Sequence, residues 1–491
     1  MTIISTMKIA TLIALATPAV GGEITPQALR GNNNNIESDF ERVLHPQWYY
    51  DQLYNQCGTP PTLCDTCNYS RNNYHRQLNR YSRSNTSEMS GTSEPTNVTT
   101  TSETEETTTM TTYDKVADAS GYNTVVHCGN SLSGYVQLTS NLVCNDASGL
   151  TISGSSSVLD CNHFAIIQPV GSTTTTTTQG LTLTGGARAV NCKIVGFDVG
   201  VLMEDGNNVL QNSVVGGSTT DNIQTDGDHG CMVLDTVKSI NAGGNGLQVN
   251  HDGTVQIYDS IFNANGVNGV ETDTHGDLCF SADGVQANAN KGMVGYAETG
   301  NGIYLMMNQK AQLTNVEVSY NNQNGLDTVI ANLVLEGITA IGNGHDGVMV
   351  GTYPTKPTTV SVYGNSRFFA NGDDGFQFMC SHDDTCELKT IGTIISEGND
   401  HGAYFGDGYG SIGVDVTSCG LLGFCSNIDK DIVEALSGGD ISYTGSGDIV
   451  CSSIDGDSSP SNVCEDRCND VGEGTVCKSA IAALCYRDEK W

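Results

Sequence analysis

Basic residues are scarce in this chain. Only 21 Lys and Arg stand against 55 Asp and Glu over 491 residues, a formal net charge of −34. A surface of that sign repels phosphate backbones and anionic lipid, which excludes direct nucleic-acid binding as a function class. Proline is also sparse, at 10 residues, and charged residues make up only 15% of the chain. A charged, disordered polymer would have more of both. Few stretches carry the Ala, Leu, Glu and Lys texture of long helices, so a layered α/β enzyme is not expected. Past the N-terminus no run approaches the roughly 18 apolar residues of a membrane span, and no membrane insertion is expected.

The N-terminus itself has one positive charge, at Lys8, an apolar run from Ile9 to Ala16, and small residues at Thr17, Ala19 and Gly21. This pattern predicts a signal peptide over residues 1–22 and a secreted product, extracellular or in a cell wall. The even count of 18 cysteines fits an oxidising compartment and a disulfide-bonded chain whose pairing spacing cannot specify. Glycosylation sequons at Asn68, Asn85 and Asn97 predict a glycoprotein.

Residues 23–84 read as a small module with Cys57, Cys64 and Cys67, many tyrosines, and Arg30, Arg42, Arg71, Arg76, Arg80 and Arg83. Its arginines suit either a polyanion or the acidic remainder of the same chain, and the second reading is preferred. Residues 85–119 are rich in Ser, Thr and Glu and bury too little apolar surface to fold, so they read as a disordered linker or an O-glycosylated stalk.

From about residue 120 to 450 short apolar runs alternate with Asn, Asp and Gly. Anchored on residues 200, 222, 246, 269, 302, 325, 347, 375 and 402, a repeat recurs at spacings of 22, 24, 23, 33, 23, 22, 28 and 27. One and three positions past each anchor the residues are mostly apolar, as in Leu247 and Val249 or Ile303 and Leu305. Two positions past, they are mixed: Leu202, Gln224, Gln248, Glu271, Tyr304, Asp327, Met349, Gln377 and Tyr404. That is the period of a strand, and strands at this spacing without intervening helices cannot be βα units. Asparagine recurs four before the anchor at Asn265, Asn321, Asn343 and Asn371, and one before at Asn245, Asn268, Asn301 and Asn324. Stacked coils would place each set about 4.8 Å apart, close enough for amide-to-amide ladders.

These repeats, with the entry segment Val158-Leu159-Asp160-Cys161-Asn162-His163-Phe164-Ala165-Ile166, resemble the right-handed parallel β-helix repeat proteins of the pectate-lyase-like kind, the pectin lyase fold. The resemblance covers about two thirds of the chain and implies an all-β, right-handed solenoid of about a dozen coils. Residues 451–491, with Cys451, Cys464, Cys468, Cys477 and Cys485, read as a Cys-rich C-terminal cap.

Ligands of a β-helix meet its outer faces. Three consecutive coils end in polar groups: Gln224, Asp226, Asp228 and His229; Gln248, Asn250, His251 and Asp252; Glu271, Asp273, His275 and Asp277. Glu271, Asp273, His275, Asp226 and His251 are the candidate catalytic residues, since paired carboxylates and a His beside an acid can do acid–base work on a sugar. Asp226, Asp228, Asp252 and Asp277 are oxygen ligands of the type Ca²⁺ takes, the one cofactor the pattern suggests. Gln224, Gln248, Tyr304, Asp327, Gln377 and Tyr404 form a candidate sugar-binding stripe of amides for hydroxyls and rings for stacking.

The resemblance implies carbohydrate chemistry, yet the catalytic motifs of its families are not matched. A lyase would need a basic residue on the outward positions of these coils, and none is there. Asp373-Asp374 matches only the acid pair of polygalacturonases, Gly344-His345 lacks the glycine that should follow, and Arg-Ile-Lys is absent. Asp273-Thr274-His275 keeps the acid and imidazole of alginate epimerases without their proline. Residues 120–460 hold 36 acidic and 9 basic groups, which disfavours a polyuronate and leaves a neutral glycan. Binding of extracellular polysaccharide therefore ranks first, a hydrolase or epimerase second, and a structural surface protein third.

Overall fold

The computed structural model describes residues 60–64, 67, 114–117 and 123–456, apart from residue 146 and the stretches 170–176, 228–229, 274–277, 294–298, 353–357, 381–384, 407–410, 418–420, 426, 428–429, 436–440, 446–447 and 451–453. The expected signal peptide, the sequons and residues 457–491 lie outside the described residues, as does nearly all of the linker.

A hairpin opens the described body. Asp114–Ala117 pairs antiparallel with Asn123–Val126, so the boundary expected at residue 119 from composition falls inside a strand pair. Every other pairing is parallel, and each strand finds its partner one coil later in the sequence. The expectation of an all-β parallel solenoid is met.

Three columns of strands run along it. The front column contains Val199–Glu204, Ile223–Gly227, Leu247–His251, Val270–Asp273, the start of Ile303–Thr314, the start of Leu326–Glu336, Val348–Thr352, Asp374–Met379, His401–Gly406 and Lys430–Ala435. The second column runs through Cys231–Ile240, Thr254–Tyr258, Cys279–Asp283, the far ends of Ile303–Thr314 and Leu326–Glu336, then Thr359–Tyr363, Thr385–Thr390 and Ser411–Val416. The third passes through Ile261–Asn263, single bridges at Gln286 and Glu317, then Thr339–Ile341, Asn365–Phe369, Thr393–Glu397 and Leu421–Cys425.

Strand alternation sends one set of side chains inward, where Leu247, Val270, Ile303, Leu326, Val348 and Phe376 are almost wholly buried. Each contributes about 1.5–3 kcal/mol by leaving water. Further along the same interior Phe368 stacks on Phe376 at 6.0 Å.

The corner between second and third columns takes left-handed backbone on successive coils. Asn191, Asn212, Thr236, Asp259 and Asn315 adopt φ of 57°, 45°, 58°, 43° and 51°, and Gly284 and Gly337 occupy the same corner. Asn, Asp and Gly tolerate that conformation best, which accounts for their recurrence at this corner.

The corner between third and front columns carries the inner amide ladder. Asn265, Asn290, Asn321, Asn343 and Asn371 each send Nδ2 to the Oδ1 of the next asparagine at 2.9–3.1 Å, ending on Asn399. The same Oδ1 atoms accept backbone N–H groups, as from Asn290 to Asn321 at 3.0 Å. The anchor glycines have a steric cause here. A Cβ on Gly302 would lie 2.6 Å from the carbonyl oxygen of Gly325 and 2.7 Å from Asn321 Nδ2. The Asn-Gly dipeptide therefore marks a rung contact, and the buried amide needs the space that glycine leaves.

Disulfides fasten the coils. Cys128–Cys144 and Cys161–Cys192 lie in the first ones, and Cys380–Cys386 joins residues just six apart. Cys64 bonds to Cys279 and Cys67 to Cys231, on rungs of the second column that are joined through Thr254. Cys67 packs by Val209, Val233 and Tyr258, and Leu63 N–H donates to Gln312 Oε1. The described part of the arginine-rich segment is thus a strap on the solenoid wall.

Candidate functional site

Two side-chain columns leave the outer face of the front sheet. Register places Leu202, Gln224, Gln248, Glu271, Tyr304, Asp327, Met349, Gln377 and Tyr404 in one line, so every residue of the predicted stripe shares a column. Asp226 pairs with Glu204 and Asn250 in the neighbouring column, where Asp273 also lies, paired with Met306. Asp226 and Asp273 are exposed, and Asp252 is half-buried in the turn that follows. Asp226 Oδ1 accepts the N–H of Gly227 at 2.9 Å. Asp228, His229, His275 and Asp277, and the His251 side chain, lie outside the described residues.

A second ladder borders the stripe. Asp221 accepts from Asn245 N–H at 2.7 Å, Asn245 from Asn268 at 2.9 Å, Asn268 from Asn301 at 2.8 Å and Asn301 from Asn324 at 2.9 Å. The series continues with other residue types. Asn324 accepts from Asp346 N–H and Asp346 from Asp374 N–H, both at 2.9 Å, and Asp374 Oδ1 lies 2.7 Å from His401 Nδ1. Ladder amides also hold the stripe: Asn245 donates to Gln248 at 2.5 Å, Asn268 to Glu271 at 2.8 Å and Asn324 to Asp327 at 3.1 Å. The three-residue offset from ladder to stripe positions therefore has a mechanical meaning, because a rigid amide orients each outward polar group.

Two clusters of ionisable groups result. In the first, burial pushes Glu271 above the usual carboxylate range against the hydrogen bonds from Asn268 and Asn245, and Asp221 and Asp273 add repulsion. Burial also raises Asp221. In the second, burial and the neighbours Asp374, Asp373 and Asp327 push Asp346 up to about 8. Asp374 is pushed up to about 6 by burial, with the His401 hydrogen bond opposing. Burial pulls His401 down, but the Asp374 contact and the nearby carboxylates outweigh it and leave it above its ordinary value. The His401 ring lies 6.3 Å from that of Tyr404.

Of the Asp373-Asp374 pair, Asp373 is exposed, and Asp374 opens a front strand with its side chain buried. Carboxylate oxygens of both and a ring nitrogen of His401 lie within 4.8 Å of one another, the one such group of potential metal ligands among the described residues. The signal was present in the sequence: Asp346, Asp374 and His401 occupy the position where earlier coils have asparagine.

No family model matches the chain, and no curated protein matches it. Two solved structures resemble it. One is a double mutant of the periplasmic alginate epimerase AlgG, 10% identical, covering 66% of this chain and 86% of that one at a TM-score of 0.30. The other is the catalytic unit of a thermostable GH87 α-1,3-glucanase from Streptomyces thermodiastaticus strain HF3-3, 12% identical, covering 65% of this chain and 64% of that one at a TM-score of 0.23.

Proposed function

We propose that the front sheet binds an extracellular polysaccharide of neutral sugars lengthwise along the stripe. The observation that carries this reading is the single register line joining Gln224, Gln248, Glu271, Tyr304, Asp327, Gln377 and Tyr404. One coil per about 4.8 Å gives a track of roughly 34 Å from Gln224 to Tyr404. Amides along it exchange hydrogen bonds with hydroxyls, and the half-buried Tyr404 ring stacks on a sugar face, while Tyr304 is buried. The carboxylates favour a neutral chain over a polyuronate, and the disulfides agree with a location outside the reducing cytosol. Affinity electrophoresis against neutral and uronate glycans, with and without Ca²⁺, tests this. Retardation by a neutral glycan that Gln248→Ala and Tyr404→Ala each weaken at least fivefold is expected, at roughly 1–3 kcal/mol per lost contact. No retardation by any neutral glycan ends the reading.

A second reading, hydrolysis, is favoured by the pair Glu271 and Asp327. They stand two coils apart with Tyr304 between, roughly 9.6 Å by strand spacing and near the separation of an inverting carboxylate pair. Glu271, raised by burial, would protonate the leaving oxygen, and Asp327 would activate the water. Glu271→Gln should then abolish turnover of a retained glycan while leaving retention unchanged. Release of sugar by that variant at the wild-type rate excludes the pair.

A further inference from the structure

Along the outer ladder, Asn245, Asn268, Asn301 and Asn324 give way to Asp346, Asp374 and His401. Asparagine accepts the same N–H bond without carrying charge, as the earlier coils show. Placing ionisable groups at buried positions costs free energy that the ladder does not require. The acids also crowd one another. Asp374, Asp373 and Asp327 act on Asp346, and Asp373 and Asp400 act on Asp374. Among the described side chains the cationic group that meets them is His401, which pairs with Asp374.

The geometry supplies what a cation needs. One oxygen of Asp373, one of Asp374 and a ring nitrogen of His401 lie within 4.8 Å of one another. Legs of about 2.1 Å put two donors at most about 4.2 Å apart across an ion, a gap that a small rotation of exposed Asp373 closes. The other two ligands are already placed. Asp374 and His401 are register partners on adjacent coils, and Asp346 Oδ1 fixes the Asp374 N–H at 2.9 Å. The backbone after Asp374 is closely packed, since a Cβ on Gly375 would lie 2.7 Å from Asn399 Nδ2. Exposure is graded, with the Asp374 side chain at 3% and that of His401 at 20%, so the group has a buried wall and an open side for water.

We propose that Asp373, Asp374 and His401 form a divalent-cation site. One imidazole and two carboxylates on an open face suit Zn²⁺ or Mn²⁺, whereas Ca²⁺ takes six to eight oxygens, roughly, and no imidazole. The site is distinct from the Asp226, Asp228, Asp252 and Asp277 set expected to hold Ca²⁺, and it does not depend on glycan binding.

The test is calorimetric titration of EDTA-stripped protein with Zn²⁺, Mn²⁺ and Ca²⁺, alongside Asp373→Asn, His401→Gln and Asp226→Asn. The wild type should take up about one equivalent of Zn²⁺ or Mn²⁺, and the cation should raise its unfolding midpoint. Each of the first two variants should bind at least tenfold more weakly, while Asp226→Asn binds as the wild type does. Asp373 is exposed, so its amide variant should match the metal-free unfolding midpoint of the wild type and keep a loss of binding interpretable. Absence of saturable binding overturns the proposal, as does equal affinity in Asp373→Asn and His401→Gln, or uptake that only Asp226→Asn removes.

Discussion

Thr236 is the β-branched residue at the left-handed corner, with φ of 58° where neighbouring coils use Asn212 and Asp259. L-residues lose about 1–2 kcal/mol in that conformation, and asparagine loses least among those with a Cβ. Thr236→Asn should therefore stabilise the protein by about 1 kcal/mol in urea unfolding. Glu434 shows the opposite kind of strain. It faces inward beside Phe405, Tyr443 Oη donates to its Oε1 at 2.7 Å, and its Oε2 has no partner. Burial raises its pKa above the ordinary glutamate range, against the hydrogen bond from Tyr443. A raised carboxyl holds a proton in the folded state that the unfolded chain releases, so its favourable contribution is complete below the unfolded value and is lost as pH rises through the folded one. Glu434→Gln should then raise the unfolding temperature at about pH 8 and leave it nearly unchanged at about pH 4, as calorimetry at both values would show.

The inner ladder makes each coil depend on the next. Asn321 accepts both the N–H and the Nδ2 of Asn290 and donates to Ala287 O and Asn343 Oδ1. Asn321→Ala would orphan buried donors on one side and acceptors on the other, at about 1–3 kcal/mol for each group left unsatisfied. A loss of about 3 kcal/mol or more is expected in urea unfolding, against under 1 kcal/mol for Asn250→Ala on the outer rim. The ladder was legible because one position in every coil meets the same neighbour, which is why Asn265, Asn321, Asn343 and Asn371 could be read as a set from spacing. Asn290 and Asn399 escaped because their coils differ in length, so that the offset to the anchor is not four. The acidic end of the outer ladder escaped for another reason. Asp and His are ordinary turn residues, and only the N–H they accept or the acid they meet sets them apart.

At the level of the whole molecule, the outward columns follow from local alternation, but the fastening of Cys64 to Cys279 and of Cys67 to Cys231 spans 215 and 164 residues and leaves no periodic trace. Replacing Cys64 and Cys67 together by serine should cost about 2–4 kcal/mol, read as a lower urea midpoint than that of the parent. These two bonds also impose a timetable on synthesis. The strap is made early, while its attachment points arrive only when residues 231 and 279 have left the ribosome and been threaded into finished coils. Until then both thiols must stay reduced or be held by temporary partners, so production of the intact molecule in a host depends on an isomerase-rich compartment and not on oxidation alone.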